Sequence, residues 1–298
     1  MFRTISNFEM KHIEILIKIC YNNKKEPNSG TSMKKLLLAP PFQTRYSIET
    51  DSEALAEKLK LNYGNYVTEQ RSVEAVPIRI LRNGLTYTFS AGLETWETDS
   101  PLGEIDRFRY HHTSYHADII AFHGAAVEWR GKCFLFLAST TSGKTTLASY
   151  LTSHNCGYVT DDCILLGRSD FRVHPYPSPL HLRDGGVEVL RSCGALPPGL
   201  QLLEEPPSLR RWVYTPCNCI KAPLPVTTIY FIERTEHENA LIPMSTTDRL
   251  TALMHAPLTD YPINGDYLRF LSRLAKTDCF RLCYCDMAYV KEMIQHGA

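Results

Sequence analysis

The sequence predicts an α/β chain on three observations: an apolar strand runs straight into a Gly-Lys-Thr turn and a helix, a second strand arrives at paired aspartates a short helix later, and strand and helix patterns alternate to the end of the 298 residues. The first strand is Cys133-Phe134-Leu135-Phe136-Leu137. The turn is Ala138-Ser139-Thr140-Thr141-Ser142-Gly143-Lys144-Thr145-Thr146, and Leu147, Ala148 and Leu151 carry the apolar side of the helix. A buried strand that turns through small residues into a helix aims backbone N–H groups at one point, where the helix N-terminus adds partial positive charge. Lys144 is spaced to reach the β and γ phosphates of a nucleotide and Thr145 to ligate Mg²⁺, the mechanism of the G-x-x-x-x-G-K-[ST] pattern. Residues 140–146 are therefore the expected phosphate cradle, against the alternative of a coincidental strand-to-helix turn. Ala138 replaces the opening glycine, which costs about 1 kcal/mol if that position needs a positive φ.

From Lys144 to His154 the helix descends about 15 Å. Asn155-Cys156-Gly157 stops it, and Tyr158-Val159-Thr160 climbs back at about 3.3 Å per residue, so Asp161 and Asp162 arrive near the level of the turn. Paired carboxylates before Cys163-Ile164-Leu165-Leu166 interrupt an otherwise buried strand and call for a cation or hydrogen-bond donors; a pair capping a surface turn is the other reading. Consecutive strand residues face opposite ways, so both aspartates serve one site only through a bulge, a neighbour or water.

These residues, with Phe122-His123-Gly124-Ala125-Ala126-Val127 before them and Pro175-Tyr176-Pro177-Ser178-Pro179-Leu180-His181-Leu182-Arg183 after, resemble the HPr kinase/phosphorylase catalytic domain in order and spacing, from near residue 106 onward. The chain looks similar to the short HPr-kinase-like proteins associated with ribosomally made peptides, lasso peptides among them. The resemblance implies an HPr-kinase-like, phosphoenolpyruvate-carboxykinase-like P-loop core, ATP and Mg²⁺, and transfer of a phosphoryl group to a serine or threonine hydroxyl of a peptide or protein. It implies that His123 lies near the transferred group, that Asp161 activates the acceptor hydroxyl, and that Asp162 joins Thr145 at Mg²⁺; the two aspartate roles could be exchanged. Arg183 is the candidate for stabilising charge on the phosphoryl group, or alternatively a surface partner of Asp184 or Glu188. Where that family has a glutamate two residues before the arginine and a glycine after it, this chain has His181 and Asp184. That removes one expected acidic metal contact and puts the reverse phosphorylase reaction in question. A small-molecule hydroxyl kinase and a non-catalytic nucleotide-binding regulator are the alternative functions.

The remaining sequence sets the frame. With 44% hydrophobic and 21% charged residues, the chain can bury one sizeable core and a smaller one. We expect an extension at 1–33, a small α+β domain at 34–105, and the kinase-like domain at 106–298. Lysine plus arginine and aspartate plus glutamate number 32 each, so no global field draws in nucleic acid or an anionic membrane. No apolar run reaches the roughly 18–20 residues that span a bilayer. Ten cysteines without an export signal point to free thiols in a reducing, cytoplasmic setting, and the C-x-C spacings at Cys217-Asn218-Cys219 and Cys283-Tyr284-Cys285 are poorer zinc signals than C-x₂₋₄-C. A homo-oligomer is open by fold analogy alone. Leu36-Leu37-Leu38, 76–81 and 85–89 read as strands around an Asn83-Gly84 turn, and Ser52–Leu61 as a helix. Leu196 to Ser208, rich in proline and glutamate, reads as a long surface loop closed by Arg210-Arg211-Trp212. Tyr110-His111-His112 with His116 resembles a metal cluster, but adjacent histidines on a strand face opposite ways, so these read as surface or site-edge residues.

Overall fold

The computed structural model describes residues 32–69, 74–112, 118–139, 141–205, 209–258 and 263–296. Most of the 1–33 extension, His116 and Thr140 lie outside the described residues. The chain divides into two compact units, 1–114 with 204–209, and 115–203 with 210–298.

The first unit is a mixed sheet with two helices, the second of which sets Phe108 against Tyr46 and Phe89 of the sheet. Its elements are β1 (Lys34–Leu38), β2 (Tyr46–Thr50), α1 (Glu53–Tyr63), β3 (Val67–Thr68), β4 (Val76–Asn83), β5 (Thr86–Ala91), β6 (Glu94–Thr98) and α2 (Pro101–His112), with strand order β3-β1-β2-β4-β5-β6. Ser52 caps α1 by accepting from the Leu55 N–H at 3.2 Å, and Leu55, Ala56 and Leu59 are buried. Gly84, at φ 63, makes the hairpin turn between β4 and β5 that the Asn-Gly pair predicts. Residues 110–112 belong to a helix, not a strand. Pro101 starts that helix where a missing N–H is harmless, and buried Leu102 and Ile105 hold it, so the histidine pair carries no strand alternation.

The second unit is built on β7 (Ile119–Phe122), β8 (Gly124–Trp129), β9 (Lys132–Leu137), α3 (Lys144–Ser153), β10 (Gly157–Thr160), β11 (Ile164–Gly167), β12 (Arg172–His174), β13 (Leu180–Leu182), α4 (Asp184–Ser192), β14 (Gln201–Glu205), β15 (Leu209–Tyr214), β16 (Leu224–Arg234), β17 (Ala240–Pro243), α5 (Thr246–Met254), α6 (Gly265–Leu274), β18 (Asp278–Tyr284) and α7 (Met287–His296). The main sheet runs β10-β8-β9-β16-β12-β11-β7, with β18 and β17 added beside β16. β9, β16 and β18 are parallel, and most of the other pairings are antiparallel.

Burial on both faces explains the unbroken apolar run of β9. Phe134 and Phe136 pack with Leu147, Ala148 and Leu151 of α3, whereas Cys133, Leu135 and Leu137 pack with Tyr267, Phe270, Leu271 and Leu274 of α6. The result is a mixed α/β arrangement with helices on both faces of the parallel strands. In such sheets, ligands gather beyond the carboxyl ends of the strands, the end at which β9 meets α3.

Within the long loop read over Leu196–Ser208, Gln201–Glu205 is a strand instead. β14 and β15 join β13 in a small third sheet ordered β13-β15-β14. The flanking Pro197-Pro198 and Pro206-Pro207 mask Leu202 and Leu203 in the sequence, and pairing of β15 with β13 is a tertiary contact that composition does not register. No helix among the described residues is long and apolar enough to cross a membrane.

Candidate functional site

The site forms where β9 ends. Its backbone leaves the strand at Ala138 and enters α3 through Gly143, which caps the helix at φ 91 and ψ 10, the left-handed region. Ala138 is not among the positive-φ residues, so the cost anticipated there does not arise. Thr141 takes the left-handed turn at φ 70, an unfavourable conformation for a β-branched residue and one concentrated at functional loops. A Cβ on Gly143 would come within 3.2 Å of the Tyr284 hydroxyl, so Tyr284, at the end of β18, closes one side of the loop.

Lys144 opens α3 and is 4% exposed. Its ammonium donates to the carbonyls of Ala138 at 2.9 Å and Ser139 at 2.8 Å, with Ser142 Oγ at 3.5 Å. Burial pulls its pKa below 10.5, and the charges of Asp162 and Asp161 oppose that pull. The lysine and both aspartates therefore share one electrostatic neighbourhood.

β10 shows how two adjacent aspartates reach it. The β10–β8 register shifts between Tyr158 and Thr160, the strand ends at Thr160, and Asp162 turns the chain at φ 62. The aspartates are thus a turn between two strands rather than an interruption inside one. Asp161 is 2% exposed and Asp162 is exposed. The Asp161 carbonyl accepts from Cys163 N–H at 2.8 Å, and the neighbouring Tyr176 N–H donates to Val159 at 3.0 Å, so the Pro175–Pro179 segment pins this turn from the side. Burial, reinforced by Asp162, raises the Asp161 carboxyl well above 3.8, while a hydrogen bond from Thr145, the Asp162 backbone and the Lys144 charge hold it down. Its Oδ1 is buried with no partner.

His123 sits between β7 and β8, and its N–H donates to the Ala256 carbonyl at 2.9 Å. Gly124 explains how the chain passes so close: a Cβ there would lie 2.7 Å from the Phe136 carbonyl oxygen and from the side chains of Ile164 and Leu137. Burial and then the Lys144 charge push the His123 pKa below 6.5, against the Asp162 charge and a hydrogen bond with the Asp162 backbone. The ring is thereby biased toward its neutral form, and its Nε2 is buried with no partner.

Of the expected residues, the structure gathers His123, Lys144, Thr145, Asp161 and Asp162. Ser142 and Gly143 line the loop beside them. Thr146 packs toward α4, where a Cβ on Gly186 would come within 2.8 Å of its Oγ1. Arg183, exposed, precedes α4, and its charge acts on Arg211, which also feels Asp162. Asp184 is not the partner of Arg183: it accepts from Trp212 Nε1 at 2.7 Å and pairs with Arg210 at 3.3 Å. Arg211 was visible in the sequence only as part of a loop closure; its place beside Arg183 depends on the β13–β15 pairing. The exposed Asp162 carboxylate and the Thr145 hydroxyl supply hard oxygen donors of the kind Mg²⁺ takes. No group of three or more His, Cys, Asp and Glu is arranged for a metal among the described residues. The described cysteines are free thiols.

Together these features define a mixed α/β chain in which a parallel strand ends in a cluster of one lysine, two aspartates and a histidine, with Lys144 and Asp161 buried. No family model and no curated protein matches the chain. Among solved structures, the Hpr(Ser) kinase/phosphatase from Coxiella burnetii is similar over 58% of this chain and 93% of that one, at 7% identity and a TM-score of 0.29, a likeness too weak to carry an argument.

Proposed function

We propose that this chain is an ATP- and Mg²⁺-dependent kinase of the HPr-kinase-like type, transferring the γ-phosphoryl group to a serine or threonine hydroxyl of a peptide or protein. The observation that carries the reading is the pair of unspent buried atoms, Asp161 Oδ1 and His123 Nε2, in the neighbourhood of Lys144 at the mouth of the β9–α3 loop. Phosphoryl transfer asks little of a protein beyond positioning and charge stabilisation, and this cluster offers both.

In this reading the loop N–H groups and Lys144 hold the donor phosphates, with Lys144 exchanging its bonds to Ala138 and Ser139 for phosphate oxygens. Asp162 and Thr145 would hold Mg²⁺, which supplies charge neutralisation on the phosphates. Thr145 can do so while donating its proton to Asp161, because its oxygen lone pairs remain free. Asp161, made more basic by burial, takes the proton of the acceptor hydroxyl; that oxygen forms the new P–O bond, and the bond to the bridging oxygen of ADP breaks. Neutral His123 can donate or accept one hydrogen bond through Nε2 beside the transferred group. Arg183, ahead of α4, would answer charge on that group.

A specific observation favours a nucleotide-binding regulator as the second reading: Lys144 is fully engaged by its own loop. Intact-mass analysis separates the two. A serine-containing precursor peptide, of the ribosomally made kind that the sequence resemblance implies, is incubated with the protein, ATP and Mg²⁺, beside Lys144→Ala and Asp161→Asn. A phosphate-sized gain lost in both variants is the expected result. ATP binding without any gain on peptide, protein or small hydroxylated acceptors would turn the reading to a regulator.

A further inference from the structure

Two arginines at the edge of this site have no carboxylate of their own. β13 and β15 pair antiparallel with Leu180 opposite Tyr214, His181 opposite Val213 and Leu182 opposite Trp212; Arg183 and Arg211 are the residues just past the last of these pairs, and the Arg183 charge acts on Arg211. Like charges brought this near at the end of a strand pair are unfavourable unless something between them compensates. The nearest acid in sequence, Asp184, is spent on Arg210 and Trp212. Neither Arg183 nor Arg211 makes a salt bridge among the described residues, and the Arg211 guanidinium finds only the Arg210 carbonyl, at 2.7 Å. Asp162 is the carboxylate whose charge reaches Arg211, and it is the one assigned to Mg²⁺ above. Arg211 is also half-buried, so its charge has surrendered part of its hydration.

The fold fixes where this pair sits. Arg183 is the residue before α4, and the close approach of Gly186 to Thr146 seats the first turn of α4 on the first turn of α3, two residues beyond Lys144. The arginine pair therefore flanks the loop instead of lying on a remote face. Two planar guanidiniums that feel each other's charge suit the oxygens of one carboxylate or phosphate, which each can take bidentately.

We infer that Arg183 and Arg211 form a subsite for an anionic group on the acceptor, so that the favoured acceptor is a peptide serine or threonine flanked by acidic or phosphorylated residues. The inference rests on the kinase reading for the identity of the neighbouring site. It assigns acceptor choice to Arg211 and, with it, to the β13–β15 pairing.

The test is binding of dye-labelled peptides to the full chain, followed by fluorescence anisotropy, with and without Mg²⁺ and ADP. One peptide carries aspartates on either side of a serine, the second carries asparagines, and a third carries phosphoserines, which separates a carboxylate source from a phosphate source. The aspartate or phosphoserine peptide is expected to bind about tenfold tighter than the asparagine peptide, the scale of one charge-assisted contact. Arg211→Gln and Arg183→Gln should each bring that ratio close to one. Arg210→Gln, which removes the same charge from an arginine already paired, should keep it. Arg183 is exposed, so its variant gives the answer even if Arg211→Gln fails to fold. Equal binding of the charged and neutral peptides, no binding of any, or a preference that survives in Arg183→Gln overturns the subsite. ADP binding by calorimetry on the same samples reports separately on the kinase reading: its absence defeats that reading, while the nucleotide-free peptide series still judges the arginine pair.

Discussion

The Lys144 ammonium donates to the Ala138 carbonyl at 2.9 Å, tying the first residue of α3 back to the end of β9. Donor phosphates and loop carbonyls thus compete for one cation. Lys144→Ala should weaken ATP binding by about 10- to 100-fold, the loss of charged hydrogen bonds worth about 1.5–3 kcal/mol. Calorimetry with ATP and Mg²⁺ checks it; affinity within twofold of the parent would mean that the lysine never leaves its carbonyls.

Asp161 links stability to pH. Its folded pKa stands above the ordinary 3.8, so its contribution to stability is full below that value and is lost as pH rises through the raised one. Asp161→Asn carries no charge to bury. The variant should therefore melt higher than the parent at pH 8, by a margin that shrinks toward pH 4, while its turnover falls to background. Paired melting curves across that range decide it, and a margin independent of pH would remove Asp161 as the cause.

Adjacent glycines at the start of α4 should respond in opposite directions. Gly186→Ala puts a Cβ 2.8 Å from Thr146 Oγ1 and should cost about 1–3 kcal/mol by overpacking the α3–α4 contact. At Gly185 a Cβ meets nothing within 4 Å, so Gly185→Ala should gain about 0.5–1 kcal/mol from helix propensity and the unfolded chain. Chemical denaturation of both variants tests the pair; equal shifts would mean that α4 is not seated on Thr146.

Gly124→Ala should be among the most damaging small substitutions in the second unit. The new methyl meets the Phe136 carbonyl oxygen at 2.7 Å, and a backbone atom inside a sheet cannot step aside. A loss of about 1–3 kcal/mol is expected, a drop in Tm of several degrees, together with displacement of His123. An unchanged melt would show that β8 can move away from β9.

Local pattern reached much of this. The apolar run 133–137 is β9, Lys144–Ser153 is the helix behind it, and Ser52 caps a helix starting at Glu53. These elements declare themselves because period, caps and turn residues act within a few positions of each other. The histidine pair at 111–112 did not, since two polar residues have no period and Pro101 ten positions earlier decides their helix. β14 and β15 did not, because prolines around them outweighed short apolar pairs, and the strand that β15 joins lies some thirty residues back.

The sequence by itself determined that a lysine opens a helix after a buried strand and that two aspartates follow a second strand, because strand and helix geometry count residues. Tertiary structure decided the rest. Only the β10 bulge and the left-handed turn at Asp162 bring both carboxylates toward Lys144, only burial raises Asp161 and leaves its Oδ1 unspent, and only the β13–β15 register brings Arg211 to Arg183. Register and burial are properties of contacts between segments far apart in the chain, and no window of adjacent residues contains them.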